Sequence, residues 1–461
     1  MNSLLKMKFN WLLFIGIAVL LKILLPGISW YSYLAILISL QQFILLFNAV
    51  DFIVPIRYLF GAFMCLQFFI GPMLAYNGLD QYQFIGYQMR IPEAEYFSYA
   101  IPAVCAFIIG LHISSRKSKG EILNEKAILD FVNQYPQLPF VFIAIGFFSS
   151  ILSGLFSSEL AFVFVLLGGF KFIGLFMIIL GEKKLKILPV IVVVGSIISS
   201  SLSSGMFHDL LTWIIFTLAI LAVKYKPRLT VKLTGTVMFI LLAVLIQQTK
   251  GYYRERIWEE GSAGNLSTLA NVYENNTNLF SLENLAANSV RINQGFILTN
   301  IMTTVPSQVP FSNGAELKQI AESAILPRIL APNKLNAGDR ELFTKYSGIQ
   351  IDSGTSMALS SLGDAYLNFG TFGGCIFMFF LGLLYSEVLK ALNRKSAKFP
   401  LILLFTPLIF YYPIRPDCEL QTILGHLVKS CFLVYVLFTF RKDIFRINST
   451  VMRTPEKFVQ V

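Results

Sequence analysis

Residues 208–223 read HDLLTWIIFTLAILAV, residues 224–228 read KYKPR, and residues 233–249 read LTGTVMFILLAVLIQQT. Two apolar runs therefore flank a short turn that holds Lys224, Lys226 and Arg228. A helix needs about 20 apolar residues to cross a hydrocarbon core of roughly 30 Å. This pattern predicts two membrane helices. Lys and Arg in a short loop place that turn on the cytoplasmic side.

The same alternation extends in both directions along the 461-residue chain. Apolar runs fall at 9–25, 31–50, 56–77, 97–114, 138–155, 160–181, 187–204, 208–223, 233–249, 367–389, 400–415 and 420–440. The expected fold is an all-α polytopic membrane protein with about 12 transmembrane helices. With the N-terminus inside, the inner segments collect 23 of the 37 Lys and Arg residues, while the short outer loops hold only Arg90 and Arg415. One register satisfies every loop, and a missed helix would invert the pattern beyond the error. Both termini are then cytoplasmic. Lysines followed by an apolar run, with no small-residue cleavage site, make the first segment a retained helix and not a signal peptide.

Composition agrees with lipid as the solvent. Hydrophobic residues make up 55% of the chain, charged residues 14%, and mean hydropathy is +0.66. Soluble proteins carry roughly 25% charged residues. The net charge of +11 lies mostly in the inner loops, so its expected partner is acidic lipid headgroups and not nucleic acid. Five cysteines without a CxxC spacing suggest neither a disulfide framework nor a zinc site.

The organisation expected is a bundle of about nine helices over 1–249, a large outer loop over 250–366, about three helices over 367–440, and a cytoplasmic tail over 441–461. The loop carries 9 Lys/Arg against 11 Asp/Glu. Within it, Asn313-Gly314-Ala315-Glu316 reads as an N-cap opening a helix that ends near Pro327. Ser281 reads as the cap of a helix running to about Thr304. Asn284, Asn288 and Arg291 recur along it at helical spacing, which predicts an amphipathic helix lying on the bilayer or over a cavity. A third helix starts near Ser353 or Thr355 and leads into the next span.

Three outer places concentrate polar chemistry. His208 and Asp209 begin an apolar helix, where a buried Asp209 would act as a base or, equally, Ser and Asp would simply satisfy a helix N-terminus. The loop supplies Lys250, Arg254, Arg256, Arg291, Arg328, Lys334, Arg340 and Lys345, which would hold a phosphate or pair with the loop's own acids. Arg415, Asp417 and Glu419 share a turn fixed by Pro413 and Pro416, with His426 two turns into the last helix. Lys171 and Lys429 fall inside spans: both would mark an aqueous cavity, or else Lys171 snorkels and Lys429 reflects a displaced helix boundary. No P-loop, HExxH or Ser-His-Asp signature is present, and no nucleotide-sugar metal site. Neither metal nor cofactor is expected.

The stretch Pro327-Arg328-Ile329-Leu330-Ala331-Pro332-Asn333-Lys334, followed by Gly363-Asp364-Ala365-Tyr366-Leu367-Asn368-Phe369-Gly370-Thr371-Phe372-Gly373, resembles bacterial oligosaccharide repeat-unit polymerases, the Wzy-type O-antigen polymerase family. The many spans, the long loop towards the C-terminal third and the glycine-rich start of the next span are similar too. The resemblance implies a GT-C-like glycosyltransferase on the outer face of a bacterial cytoplasmic (inner) membrane, serving polysaccharide synthesis. Its donor would be a growing glycan on polyprenyl pyrophosphate and its acceptor a lipid-linked repeat unit. A chain-length regulator and a flippase are implied partners. On that scheme Arg291, Arg328, Lys334, Arg254 and Arg415 bind the pyrophosphate. Asp209, His208 or Asp364 is the base, and Tyr253 and Tyr366 stack on sugar rings. A ligase that moves finished glycan shares the same donor. A lipid-linked oligosaccharide flippase is the competing class, although no internal repeat of the transporter kind is visible.

Overall fold

The computed structural model describes residues 11–114, 121–156, 158–182, 186–276, 280–326, 335, 338–351 and 357–446. Among these every regular element is helical. The order is α1 Trp11–Leu24, α2 Trp30–Ala49, α3 Ile56–Tyr76, α4 Glu93–Ile113, α5 Glu125–Gln134, α6 Leu138–Leu152, α7 Ala161–Gly181, α8 Ile187–Ser204, α9 His208–Tyr225 and α10 Leu229–Trp258. Then come α11 Leu266–Asn275, α12 Leu282–Asn288, α13 Gly295–Thr304, α14 Ala315–Ile325, α15 Arg340–Ser347, α16 Ser360–Ser396, α17 Pro400–Ile409, α18 Leu420–Phe440 and α19 Lys442–Phe445.

Among the described residues, nine helices are long and apolar enough to cross a membrane: α2, α3, α4, α7, α8, α9, α10, α16 and α18. The chain is a multi-pass membrane protein. The pair α5 and α6, bent by 86°, brings the number to ten if it forms one span. Three expected spans are shorter than anticipated. Residues 9–25 give α1, of 14 residues, and 138–155 give α6, of 15. Residues 400–415 give α17, a 3-10 turn over Pro400–Phe405 followed by one helical turn over Thr406–Ile409. Prolines at 400, 407 and 413 break its regularity. The fold compensates by burying it, with Leu401, Leu404, Phe405, Thr406, Ile409 and Phe410 fully enclosed. Irregular backbone is tolerated at membrane depth only where protein covers it. His426 supplies part of that cover, its Nε2–H donating to the Leu408 carbonyl at 2.7 Å.

Helices α4 and α16 form the tightest seam. A Cβ built on Gly110 would sit 2.1 Å from the Phe379 carbonyl oxygen, and one on Gly382 would sit 2.2 Å from that of Phe107. Small residues let the two backbones touch, which is how helices associate where lipid removes the hydrophobic drive.

A π turn at Leu66–Ile70 interrupts α3. Such a turn leaves carbonyls without their usual helical partners. The Gln67 carbonyl accepts the backbone N–H of Gln294 at 3.0 Å, and Phe68 accepts the Tyr96 hydroxyl at 2.9 Å. The long loop is therefore anchored in the bundle. This anchoring corrects the amphipathic-helix reading. Ser281 does cap a helix, its Oγ accepting the Asn284 N–H at 3.2 Å. That helix stops at Asn288, a 3-10 turn covers Ser289–Ile292, and α13 restarts at Gly295. Phe296, Ile297, Leu298 and Ile301 of α13 are buried, so it packs inside the protein and not on the bilayer. Helix α14 ends before Pro327 as expected, but its cap is Gly314, with the Ser312 hydroxyl accepting the Glu316 N–H at 2.9 Å. Helix α16 begins at Ser360 and bends at Gly370, where φ is +65°. The expected starts at Ser353 and Thr355 lie outside the described residues.

Contacts sort the connections into two ends. At the basic end, Arg57 pairs with Glu121 at 2.9 Å, Lys232 with Asp51 at 3.0 Å and Lys226 with Glu125 at 3.6 Å. At the loop end, Gln83 donates to Ser289 at 3.0 Å, and the Gly338 N–H donates to Glu419 at 2.8 Å. These are the groupings that alternation of Lys and Arg anticipates.

Candidate functional site

The loop end gathers a cluster of cations. Helix α8 ends at Ser204 and reverses through Gly205, whose φ of +67° suits glycine. Helix α10 is stitched to this turn: Tyr253 donates its hydroxyl to the Leu202 carbonyl at 2.9 Å, and Arg254 donates Nε to Gly205 O at 2.9 Å. The Arg254 guanidinium also covers the Trp258 ring at 4.7 Å. Lys250 lies one turn earlier on the same helix and so reaches the start of α9, where His208 and Asp209 sit. Asn288 donates to Gln248 Oε1 at 2.8 Å, which draws α12 and the following 3-10 turn alongside and delivers Arg291. The segment between α17 and α18 closes the group with Arg415 and Asp417.

The electrostatic neighbours of Lys250 are Arg254, Arg291, Asp417 and Arg415, and those of His208 are Arg415, Asp417, Asp209 and Lys250. Four cations thus share their space with two carboxylates. Among the described residues, the Lys250 and Arg291 side chains have neither an ion pair nor a hydrogen bond. Arg415 Nε and Asp417 Oδ1 stand 3.7 Å apart, and both are buried without a hydrogen-bond partner. The Arg415 guanidinium lies over Tyr412 at 5.4 Å. Cations grouped in this way, with donors still unused, supply the chemistry that recognition of a multivalent anion requires.

Asp209 is solvent-exposed and oriented. Tyr411 donates its hydroxyl to Asp209 Oδ1 at 2.5 Å, and Lys171 is an electrostatic neighbour from α7. Lys171 also packs against the Phe147 and Phe172 rings at 5.4 and 5.7 Å. His208 Nε2 is 3.1 Å from the Thr212 hydroxyl, which itself donates to the His208 carbonyl at 3.0 Å. The hydroxyl's proton is thereby committed, so it accepts from Nε2–H and leaves Nδ1 as the free acceptor.

Other expected site residues lie elsewhere. Asp364 is buried, and its charged neighbours are Glu419 and Glu316, not the cations. It lines a cavity of about 20 Å³ with Asp339, Leu342, Glu419 and Leu420, which is room for about one water molecule. Burial raises the Glu419 carboxyl above its ordinary value, against the Gly338 N–H and the Thr422 hydroxyl, which lower it. Tyr253 is fully buried with its ring against Phe207, so it offers no face to a sugar. Tyr366 is 8% exposed and packs between Tyr99 and Phe311. Both tyrosines are packing residues here, which corrects the sugar-stacking expectation. Lys429 is exposed and covers Phe162 at 4.0 Å, so it lines no internal cavity. Arg328 and Lys334 lie outside the described residues. Among those described, no three His, Cys, Asp or Glu side chains are grouped to hold a metal.

Tyr411 is the site residue that the sequence reading missed. The one available signal was the polar pair Tyr411-Tyr412 inside an otherwise apolar run just before Arg415.

No curated protein and no solved structure gives a significant match to this chain. One family profile, described as a domain of unknown function, matches residues 28–411, which is most of the length; the chain belongs to that family, DUF8712.

Proposed function

We propose that the chain polymerises lipid-linked oligosaccharide repeat units on the outer face of a bacterial cytoplasmic membrane. The observation that carries this reading is the grouping of Arg254, Arg291 and Arg415 around Lys250, with His208 joining that group to the carboxylate of Asp209 that Tyr411 orients. In the proposed scheme the loop end faces outward and both termini are cytoplasmic. Twelve crossings, in a GT-C-like arrangement, follow when α1, α6 and the buried segment from Pro400 are added to the nine long helices.

The donor glycan arrives on polyprenyl pyrophosphate. The cations hold the two phosphates and take up the charge that develops as the diphosphate leaves. The acceptor hydroxyl attacks the anomeric carbon, the new C–O bond forms, and the C–O bond to the pyrophosphate breaks. Asp209, held by Tyr411, receives the hydroxyl proton. The hydrogen bond from Tyr411 fixes which oxygen faces the acceptor.

Glycan ladders from a deletion strain complemented with variants test the scheme. Asp209→Asn should reduce polymerisation on the order of 10²- to 10⁴-fold, the usual contribution of a positioned base. Arg291→Ala with Lys250→Ala should leave single repeat units while membrane protein levels stay normal. Full ladders from both variants would sink the assignment. Purified protein in liposomes that moves labelled lipid without forming glycosidic bonds would identify a transporter instead.

A further inference from the structure

Asp364 lies apart from the cation cluster, yet it is a buried acid with a second acid beside it. Helix α16 has 37 residues, well beyond the roughly 20 that cross a hydrocarbon core, and it bends at Gly370. The segment before the bend packs among loop-end groups. The Leu367 and Asn368 carbonyls accept the Ser312 and Asn313 N–H groups at 3.0 and 3.1 Å. Asp364 is 4% exposed there and shares with Glu419 a cavity of about 20 Å³, the room of about one water molecule. Ile320 of α14, Leu342 and Phe343 of α15, Leu359 and Leu420 supply an apolar lining.

The two acids are unequally served. The Gly338 N–H reaches both oxygens of Glu419, at 2.8 and 3.0 Å, and the Thr422 hydroxyl reaches one of them at 3.4 Å. Asp364 has the Leu420 N–H. The other titratable groups facing this pair are Glu316 of α14, Asp339 at the cap of α15 and Tyr99 of α4. Lys345 of α15 is taken by Glu316 at 3.3 Å. Among the described residues no cation pairs with Asp364 or Glu419. Two ionised carboxylates on one small cavity would repel each other with nothing to offset them. A single proton removes the conflict, and the donors gathered on Glu419 leave that proton to Asp364.

We propose that Asp364 is held protonated and donates towards Glu419 across this cavity, so that the pair is a pH-sensitive clasp binding α15 and α16 to the start of α18. Glu419 in turn grips Gly338, next to the Asp339 cap of α15, and Gln421 donates to the Leu335 carbonyl at 2.7 Å. Glu419 also stands four residues beyond Arg415, so the clasp fixes the end of the turn that brings Arg415 and Asp417 to the cation cluster. Loss of the proton puts two negative charges on the cavity and loosens that attachment. The clasp does not depend on the polymerase reading.

The test uses the full chain in detergent and the variant Asp364→Asn, whose amide still donates to Glu419 but cannot ionise. Infrared spectra of the parent should show a protonated-carboxyl stretch at neutral pH that weakens as the pH rises and is missing from the variant. Unfolding midpoints give a second readout. A proton bound by the folded chain and absent from the unfolded one stabilises at low pH, and the gain is lost as the pH rises. The parent midpoint should therefore fall by a few degrees relative to the variant between roughly pH 6 and 9, the range in which a buried carboxyl titrates. Near the lower limit the two should agree. A carboxyl band that survives in Asp364→Asn, or midpoint curves that run parallel in parent and variant, would overturn the clasp.

Discussion

The seam between α4 and α16 and the free stretch of α10 are both apolar helix, yet they occupy opposite extremes of packing. In the seam, backbone meets backbone at Gly110 and Gly382, and nothing can enter. Along α10, Gly235 has no atom within 4 Å of a built Cβ, and twelve of the fourteen residues from Leu229 to Leu242 are exposed. The seam acts as frame, and α10 is the least buried of the long helices.

The largest effect should come from the clasp at the basic end of the frame. Arg57 and Glu121 are 3% and 2% exposed, and Arg57 also donates to Ser386 Oγ at 2.7 Å and to the Leu111 carbonyl. One side chain thereby ties α3, the end of α4, α16 and the segment before α5. Arg57→Ala strands a buried carboxylate and should cost about 3–5 kcal/mol. Thermal unfolding in detergent reads this directly. Arg57→Lys should recover only part of it, because an ammonium cannot serve these partners with a planar fork. An unchanged midpoint in the Ala variant would mean the frame is held elsewhere.

Gly382→Ala comes next. Its new methyl would meet the Phe107 carbonyl at 2.2 Å, and overpacking of this kind costs about 1–3 kcal/mol. The loss should appear as a lower unfolding midpoint with activity per folded molecule preserved, since the site is at the loop end. A midpoint equal to that of the parent would show that the seam yields, and the contrast with α10 would lose one of its sides.

Neither extreme could be read from composition. In lipid, the buried face and the lipid-facing face of a helix are both apolar, so periodicity marks neither. What the sequence did carry was charge and capping: the alternation of Lys and Arg sorted the connections into their two ends, Ser281 capped its helix, and another helix stopped at Ile325, as expected from a proline soon after it. Asp209, Arg254, Arg291 and Arg415 could be named because charged side chains near apolar runs are few. Their meeting could not be foreseen, because it depends on the π turn at Leu66–Ile70 and on the break at Asn293-Gln294, features of backbone pairing between segments more than 200 residues apart. Asp364 and Tyr366 look as functional as Asp209 in sequence, but they lie in the buried segment from Ser360 to Asn368 that the bend at Gly370 ends.

The smallest effect is the sharpest probe of α10. Gly235→Ala adds a methyl where no neighbour stands, and alanine favours a helix over glycine by roughly 0.5–1 kcal/mol. The variant should therefore be neutral or slightly stabilised, and hydrogen exchange over residues 229–242 should slow while the rest of the bundle keeps its rates. If instead α10 closes against the bundle in the membrane, the methyl would collide and the midpoint would fall as it does for Gly382→Ala. The sign of this one change separates a helix that stands clear at Gly235 from one that packs there without any assumption about what the protein binds, because the helix-propensity gain is present in both cases and only the collision differs.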